Sequence, residues 1–110
     1  MSYDQAMAQE VRALLSDRDD VVEKPMFGGL AFMVSGNLAV CAGHAHELLV
    51  RVGQDAYEEA RSRPGTKDFV MGERVAKAWV IVDPAALVSE DDFADWVARG
   101  VAFAASLPPK

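Results

Sequence analysis

A pair of adjacent glycines, Gly28-Gly29, constrains the fold of this chain more than any other sequence feature. Met26-Phe27 precede the pair and Leu30-Ala31-Phe32 follow it, so the glycines separate two apolar segments. Glycine in such a place indicates a positive φ, a bulge, or the close approach of another group. We therefore predict a bend in a β-sheet at these glycines. Lys24 is the nearest ionisable residue on the preceding segment.

Short apolar segments around this bend predict an antiparallel meander. Pro25 suits an edge or bulged strand, because proline cannot donate to a ladder. Ser35-Gly36-Asn37 is typical of a tight hairpin turn. The strand with the strongest β-branched pattern comes much later in the chain. The predicted strands are Val21–Phe27, Leu30–Val34, Leu38–Ala42, His46–Val52 and Val75–Val82.

Helical periodicity predicts three helices around these strands. They cover Asp4 to Asp17, Gln54 to Ser62, and a stripe that runs from Phe93 to Leu107 behind the capping box Ser89 to Asp92. The segment Thr66 to Gly72 shows no clear period. The element order is α-β-β-β-β-α-β-α, a meander plus one later strand. It predicts an α+β fold, an antiparallel sheet flanked by helices, in one domain over residues 1–110.

Both faces of the predicted sheet are apolar. Alternation places Phe32 on one face and Met33 on the other, and it likewise places Val80 and Trp79 on opposite faces. A sheet with one solvated face normally alternates apolar and polar residues more cleanly. Either the segment Thr66 to Gly72 covers the second face or another subunit does, and we expect a homodimer.

Composition restricts the compartment and the partners. Seventeen acidic residues against eleven basic ones give a formal charge of −6, which disfavours direct binding to nucleic acid. Cys41 lies in an apolar run, as expected of a buried thiol in a reducing compartment. The amino terminus lacks the pattern of a signal peptide, and no apolar segment approaches the ~20 residues of a membrane span. We expect a cytoplasmic protein without membrane contact.

The sequence carries few candidates for chemistry. His44, His46 and Glu47 form the one concentration of metal-type ligands, yet they supply too few ligands for a closed zinc site, and solvent-exposed turn histidines are the preferred interpretation. Cys41 with a nearby histidine is the obvious nucleophilic pair, but a buried thiol explains it equally well. Phosphate-loop and dinucleotide fingerprints are missing. We therefore expect no cofactor, no bound metal and no catalysis.

Arg51 interrupts an apolar strand and should share a face with Leu49. A cation on such a face must pair or reach water. One interpretation is an arginine that binds an anion or contacts a partner. The alternative, which we favour, is an ion pair with Glu73, Asp55 or Glu58.

The chain resembles the amino-terminal domain of the TfoX (Sxy) family of bacterial competence regulators, over about Asp4 to Pro108. The residues that carry the resemblance are Lys24, Met26-Phe27-Gly28-Gly29, Phe32, Leu48–Val52, Met71-Gly72-Glu73-Arg74, Trp79, Asp83-Pro84 and Trp96. Named members help a cyclic-AMP-receptor-type activator at competence promoters and carry a second, carboxy-terminal domain. The resemblance implies an α+β module in stand-alone form, with no catalytic residues to carry over.

Together these observations predict a non-enzymatic, cytoplasmic module that acts through protein contact, as a homodimer or with a regulatory partner. The interaction residues expected on this basis are Lys24, Met26, Phe27, Gly28, Gly29, Met33 and Trp79. The alternative is a small-ligand or metal-binding domain that uses Arg51 and His46 near the segment 66–72.

Overall fold

The computed structural model describes residues 5–26, 28–43, 47–83, 85 and 90–109, which build a six-stranded sheet with helices on one face. All neighbouring strands pair antiparallel, in the order β1-β2-β3-β4-β6-β5. The strands are β1 (Val21–Met26), β2 (Gly29–Val34), β3 (Asn37–Ala42), β4 (Leu48–Arg51), β5 (Thr66–Met71) and β6 (Arg74–Val82). The helices are α1 (Gln5–Leu14), α2 (Tyr57–Arg61), which continues the 3₁₀ turn Gln54–Ala56, and α3 (Glu90–Ala105).

The predicted α+β class and its element order are confirmed. Pro25 lies on β1, an edge strand, as its missing N–H requires. The hairpin turn is also confirmed, since Ser35 and Gly36 both have positive φ, at 51° and 84°. Three predicted boundary residues lie outside the described residues: the first residue of the first helix, Asp4; the first residue of the fourth strand, His46; and the serine of the capping box, Ser89.

The segment without a clear period, Thr66 to Gly72, contains an additional strand, β5, which the sequence pattern did not predict. Thr66–Met71 pairs with β6, and the register shifts between Asp68 and Val70. A bulge places two residues opposite one, which breaks the two-residue alternation that identifies a strand. The segment therefore extends the sheet at its edge.

The main core lies between the sheet and the helices. Phe32, Val40 and Val80 point from the strands toward Val11 of α1 and Val97 of α3, and all five are buried. A Cβ at Gly100 of α3 would lie 2.6 Å from the carbonyl oxygen of Ala39, so α3 sits closely against β3. Among the helices that the structure describes, none is long and apolar enough to cross a membrane.

The carboxy-terminal end of α3 is fixed to the sheet by a buried side chain. The Nδ2 of Asn37, at the start of β3, donates to the carbonyl oxygen of Pro108 at 3.0 Å. Asn37 is the buried polar residue of the described core. This bond places the end of α3 beside the end of β4, where Arg51 lies.

Candidate functional site

The two glycines of the Met-Phe-Gly-Gly motif satisfy two different requirements. Gly28, in the turn between β1 and β2, has a φ of 73°. A Cβ at Gly29 would overlap the carbonyl oxygen of Ala42 and lie 3.0 Å from the Cα of Gly43. Gly28 therefore supplies the turn and Gly29 the close approach of β2 to β3. Phe27 lies outside the described residues.

The side of the sheet opposite the helices carries a second apolar cluster, which we call the outer face. Four small or medium side chains on the central strands are buried there, beneath larger residues that remain partly exposed. In the part of the chain that the structure describes, the cluster contains no residue of α1, α2 or α3. The buried members are Ala31, Leu38, Cys41 and Leu49, and the partly exposed ones are Met26, Met33, Phe69, Trp79 and Ile81.

Three of the predicted interaction residues, Met26, Met33 and Trp79, thus lie together on the outer face. Lys24 pairs with Ala31 across β1 and β2, so it lies on the same face, where it is exposed. Alternation in the sequence assigned Met33 and Trp79 to this face, and the structure adds Met26 and Lys24 to it. The sequence pattern did not assign Phe69 to this face, because the bulge in β5 interrupts the two-residue alternation.

Exposed valines border the outer face at both of its edges. Val22 is 56% exposed and lies opposite Met33, while Val70 and Val75 are 53% and 38% exposed and lie opposite each other. Large apolar residues exposed in one continuous area mark contact surfaces more often than scattered ones do. The outer face therefore presents apolar side chains that remain partly accessible to solvent.

A pocket of about 370 Å³ opens on the outer face beside β5. Its lining includes Cys41, Leu49, Phe69 and Ile81, and the ion pair of Lys67 with Glu47 lies at its rim. Burial raises the pKa of the Cys41 thiol to about 11, and its Sγ lies 3.6 Å from the carbonyl oxygen of Met26. The thiol is therefore protonated at neutral pH and a weak nucleophile.

Arg51 does not line that pocket. Its guanidinium lies close to two aromatic rings, with Cζ 5.4 Å from the centroid of Trp79 and 5.5 Å from that of Phe103. Trp79 is its register partner on β6, whereas Phe103 comes from α3. The contact with Phe103 depends on tertiary packing and leaves no local signal in the sequence. His46, the predicted companion of Arg51, lies outside the described residues.

The favoured interpretation of Arg51 was an ion pair, and the structure shows none with Glu73, Asp55 or Glu58. Other arginines do pair: Arg61 Nε lies 2.9 Å from Asp68 Oδ1, and Glu59 accepts from Arg63 and Arg99. Within the described residues, no group of three or more metal-type ligands converges. The histidine pair of the sequence lies outside them.

The comparison with known proteins identifies the family. No curated protein and no solved structure matches the chain. A family model, the TfoX N-terminal domain, matches residues 13–104, which include the glycine motif, the whole sheet and most of α3. The match agrees with the resemblance carried by the Met-Phe-Gly-Gly motif. The chain therefore belongs to the TfoX N-terminal domain family.

Proposed function

We propose that this chain is a non-enzymatic, cytoplasmic protein-interaction module that acts as a homodimer through its outer face. The observation that carries the proposal is the apolar cluster on the side of the sheet opposite the helices, bordered by exposed Val22, Val70 and Val75. Burial of such a surface against a second copy would remove apolar area from water. A role in regulation is inferred from the resemblance to competence regulators.

The edges of the sheet favour contact through the face. β1 carries Pro25 and the exposed Lys24, both of which hinder pairing with a further strand. At the other edge, the bulge between Asp68 and Val70 distorts β5. Because both edges are poor templates for a seventh strand, two copies would pack sheet against sheet, at the usual spacing of about 10 Å.

The protonated, buried thiol supports the non-enzymatic part of the proposal. Cys41 was the candidate nucleophile, and it lies at the base of an apolar cluster with its pKa raised by burial. A catalytic cysteine normally needs the opposite environment, one that stabilises the thiolate. Cys41 is therefore interpreted as a core residue of the outer face.

Substitution of the exposed valines tests the dimer. Val22→Lys and Val75→Lys together should weaken self-association by at least about tenfold, since they place charge in a desolvated contact. The new charges would lie beside Lys24 of β1 and Lys77 of β6, each two positions along the same strand and therefore on the same face. Leu14→Lys is the matched control, because Leu14 is an exposed apolar residue on α1, 42% exposed. Its dimer should match that of the unmodified chain.

Sedimentation velocity over about 1 μM to about 1 mM would measure these dissociation constants. Circular dichroism would show that each variant is folded. An unmodified chain that stays monomeric over the whole concentration range would refute the dimer. Equal weakening by Leu14→Lys would place the contact on the helical side of the molecule.

A further inference from the structure

Arg51 is distinguished from the other partly buried arginines by its lack of a carboxylate partner. Arg61 pairs with Asp68 and Arg99 pairs with Glu59. For Arg51, the described residues provide no ion pair and no hydrogen bond, and its guanidinium lies close to the rings of Trp79 and Phe103. Aromatic faces attract a cation but accept no conventional hydrogen bond from its N–H groups.

The Nε of Arg51 is buried without a hydrogen-bond partner, whereas the rest of the side chain is only partly buried. Among the guanidinium nitrogens of Arg51, Nε is the one that is buried without a partner, so the terminal Nη groups are the donors that remain for a ligand. A buried, uncompensated guanidinium donor is costly and normally has a partner. The two Nη groups of Arg51 therefore form a charged pair of donors, the fork, at the end of the guanidinium.

The fork faces an open groove of about 630 Å³ at the end of β4. The groove is also lined by Gly53, Gln54, Asp55 and Phe103. Gly53 has a φ of 85°, and a Cβ there would overlap the Phe103 ring. Glycine at this position thus lets the ring approach Arg51, which holds the guanidinium in place before any ligand binds.

We propose that this groove, which we call the Arg51 groove, binds a small monoanion through the Arg51 guanidinium, with a carboxylate as the preferred group. Arginine forms paired hydrogen bonds with carboxylates and phosphates. Asp55 is exposed in the same groove and repels negative charge. The repulsion is larger for a phosphate dianion than for a carboxylate, which selects the carboxylate.

The probes are sodium acetate and inorganic phosphate, added at constant ionic strength to ¹⁵N-labelled protein at about pH 8, where phosphate is mainly the dianion. The Nε–H resonance of Arg51 is the readout, because burial protects this proton from exchange with solvent. Acetate should shift it along a saturable curve, and phosphate should bind more weakly. The Nε–H resonance of Arg61, whose guanidinium already contacts Asp68, is the internal reference and should move little.

Three variants complete the test. Arg51→Lys keeps the charge but loses the fork, and acetate affinity should fall at least about tenfold. Arg74→Gln, which removes an exposed arginine elsewhere, should bind acetate unchanged. Asp55→Asn should raise phosphate affinity severalfold. This variant tests anion binding in the groove even if Arg51→Lys fails to fold.

An Arg51 resonance that moves no more than that of Arg61 would overturn the proposal. So would equal losses in Arg51→Lys and Arg74→Gln, since they would indicate binding to general surface charge. The readout is specific to one residue and does not depend on self-association. A monomeric chain would therefore refute the proposed function and leave this inference standing.

Discussion

At the scale of single residues, Gly28 and Gly29 show how one motif meets two physical requirements. The sequence indicated positive φ, a bulge or close approach, without assigning them. The structure gives positive φ to Gly28 and close approach to Gly29, which faces the carbonyl oxygen of Ala42. The close approach at Gly29 depends on another strand, so local sequence cannot reveal it. The positive φ of Gly28 belongs to a local turn, which local sequence does indicate.

Gly29→Ala should destabilise the fold by more than about 2 kcal/mol, because the added Cβ overlaps backbone that cannot rotate away. Gly72→Ala is the matched control. Gly72 has a φ of 63° but no atom within 4 Å of an added Cβ. It should cost only the strain of a left-handed residue, about 1 kcal/mol. Urea unfolding measures both, and equal losses would argue against the close approach at Gly29.

Arg51 shows what residue patterns could and could not indicate. Its place on an apolar strand correctly signalled a cation in need of a partner. None of the three carboxylates expected as partners, Glu73, Asp55 and Glu58, pairs with it. The partners are the rings of Trp79 and Phe103, and the latter lies 52 positions away in the chain on another element.

At the scale of elements, β5 was the strand that sequence periodicity missed. Its bulge removes the alternation, and its attachment is polar as well as apolar. Asp68 accepts hydrogen bonds from Tyr57 and Arg61 of α2, and Arg61 also donates to the carbonyl oxygen of Thr66. This cluster fixes β5 to α2, and it depends on contacts that periodicity does not describe.

The same cluster should make stability depend on acid pH. The hydrogen bonds from Tyr57, and then those from Arg61, hold the pKa of Asp68 below its ordinary value of 3.8. A lowered pKa in the folded state stabilises the fold above the ordinary value, and this contribution is lost as the pH falls through the folded-state pKa. Asp68→Asn should therefore lower the Tm at pH 7, and the difference from the unmodified chain should shrink below about pH 4.

Thermal melts between pH 2 and pH 7 would follow this difference. Glu58→Gln is the control, because Glu58 is an exposed carboxylate on the same helix. It should track the unmodified chain across the range. A difference for Asp68→Asn that stays constant with pH would show that packing, and not the charge of Asp68, attaches β5.

At the scale of the whole molecule, alternation along the strands correctly assigned residues to the two faces. Phe32 and Val80 face the helices, while Met33 and Trp79 lie on the outer face. The pattern could not identify what contacts the outer face, because the period of a strand reports burial and not its cause. The helices satisfy one face, and the proposed second copy satisfies the other.

The net charge of −6 should make self-association through the outer face depend on salt concentration. Two copies repel each other over the Debye length, which falls from about 30 Å at 10 mM salt to about 4 Å at 500 mM. Apolar contact through the outer face is not weakened by this screening. Self-association should therefore strengthen as salt rises from about 10 mM to about 500 mM, as measured by sedimentation velocity.

Direct binding to nucleic acid would show the opposite dependence, since phosphate contacts weaken steeply with salt. Fluorescence anisotropy with a labelled duplex, over the same salt series, provides that comparison. A complex with DNA that forms at low salt and dissociates at high salt would contradict the expectation drawn from the acidic composition. A dimer that weakens with salt would indicate ion pairs across the contact, and the outer-face lysines Lys24 and Lys77 would then be its first candidates.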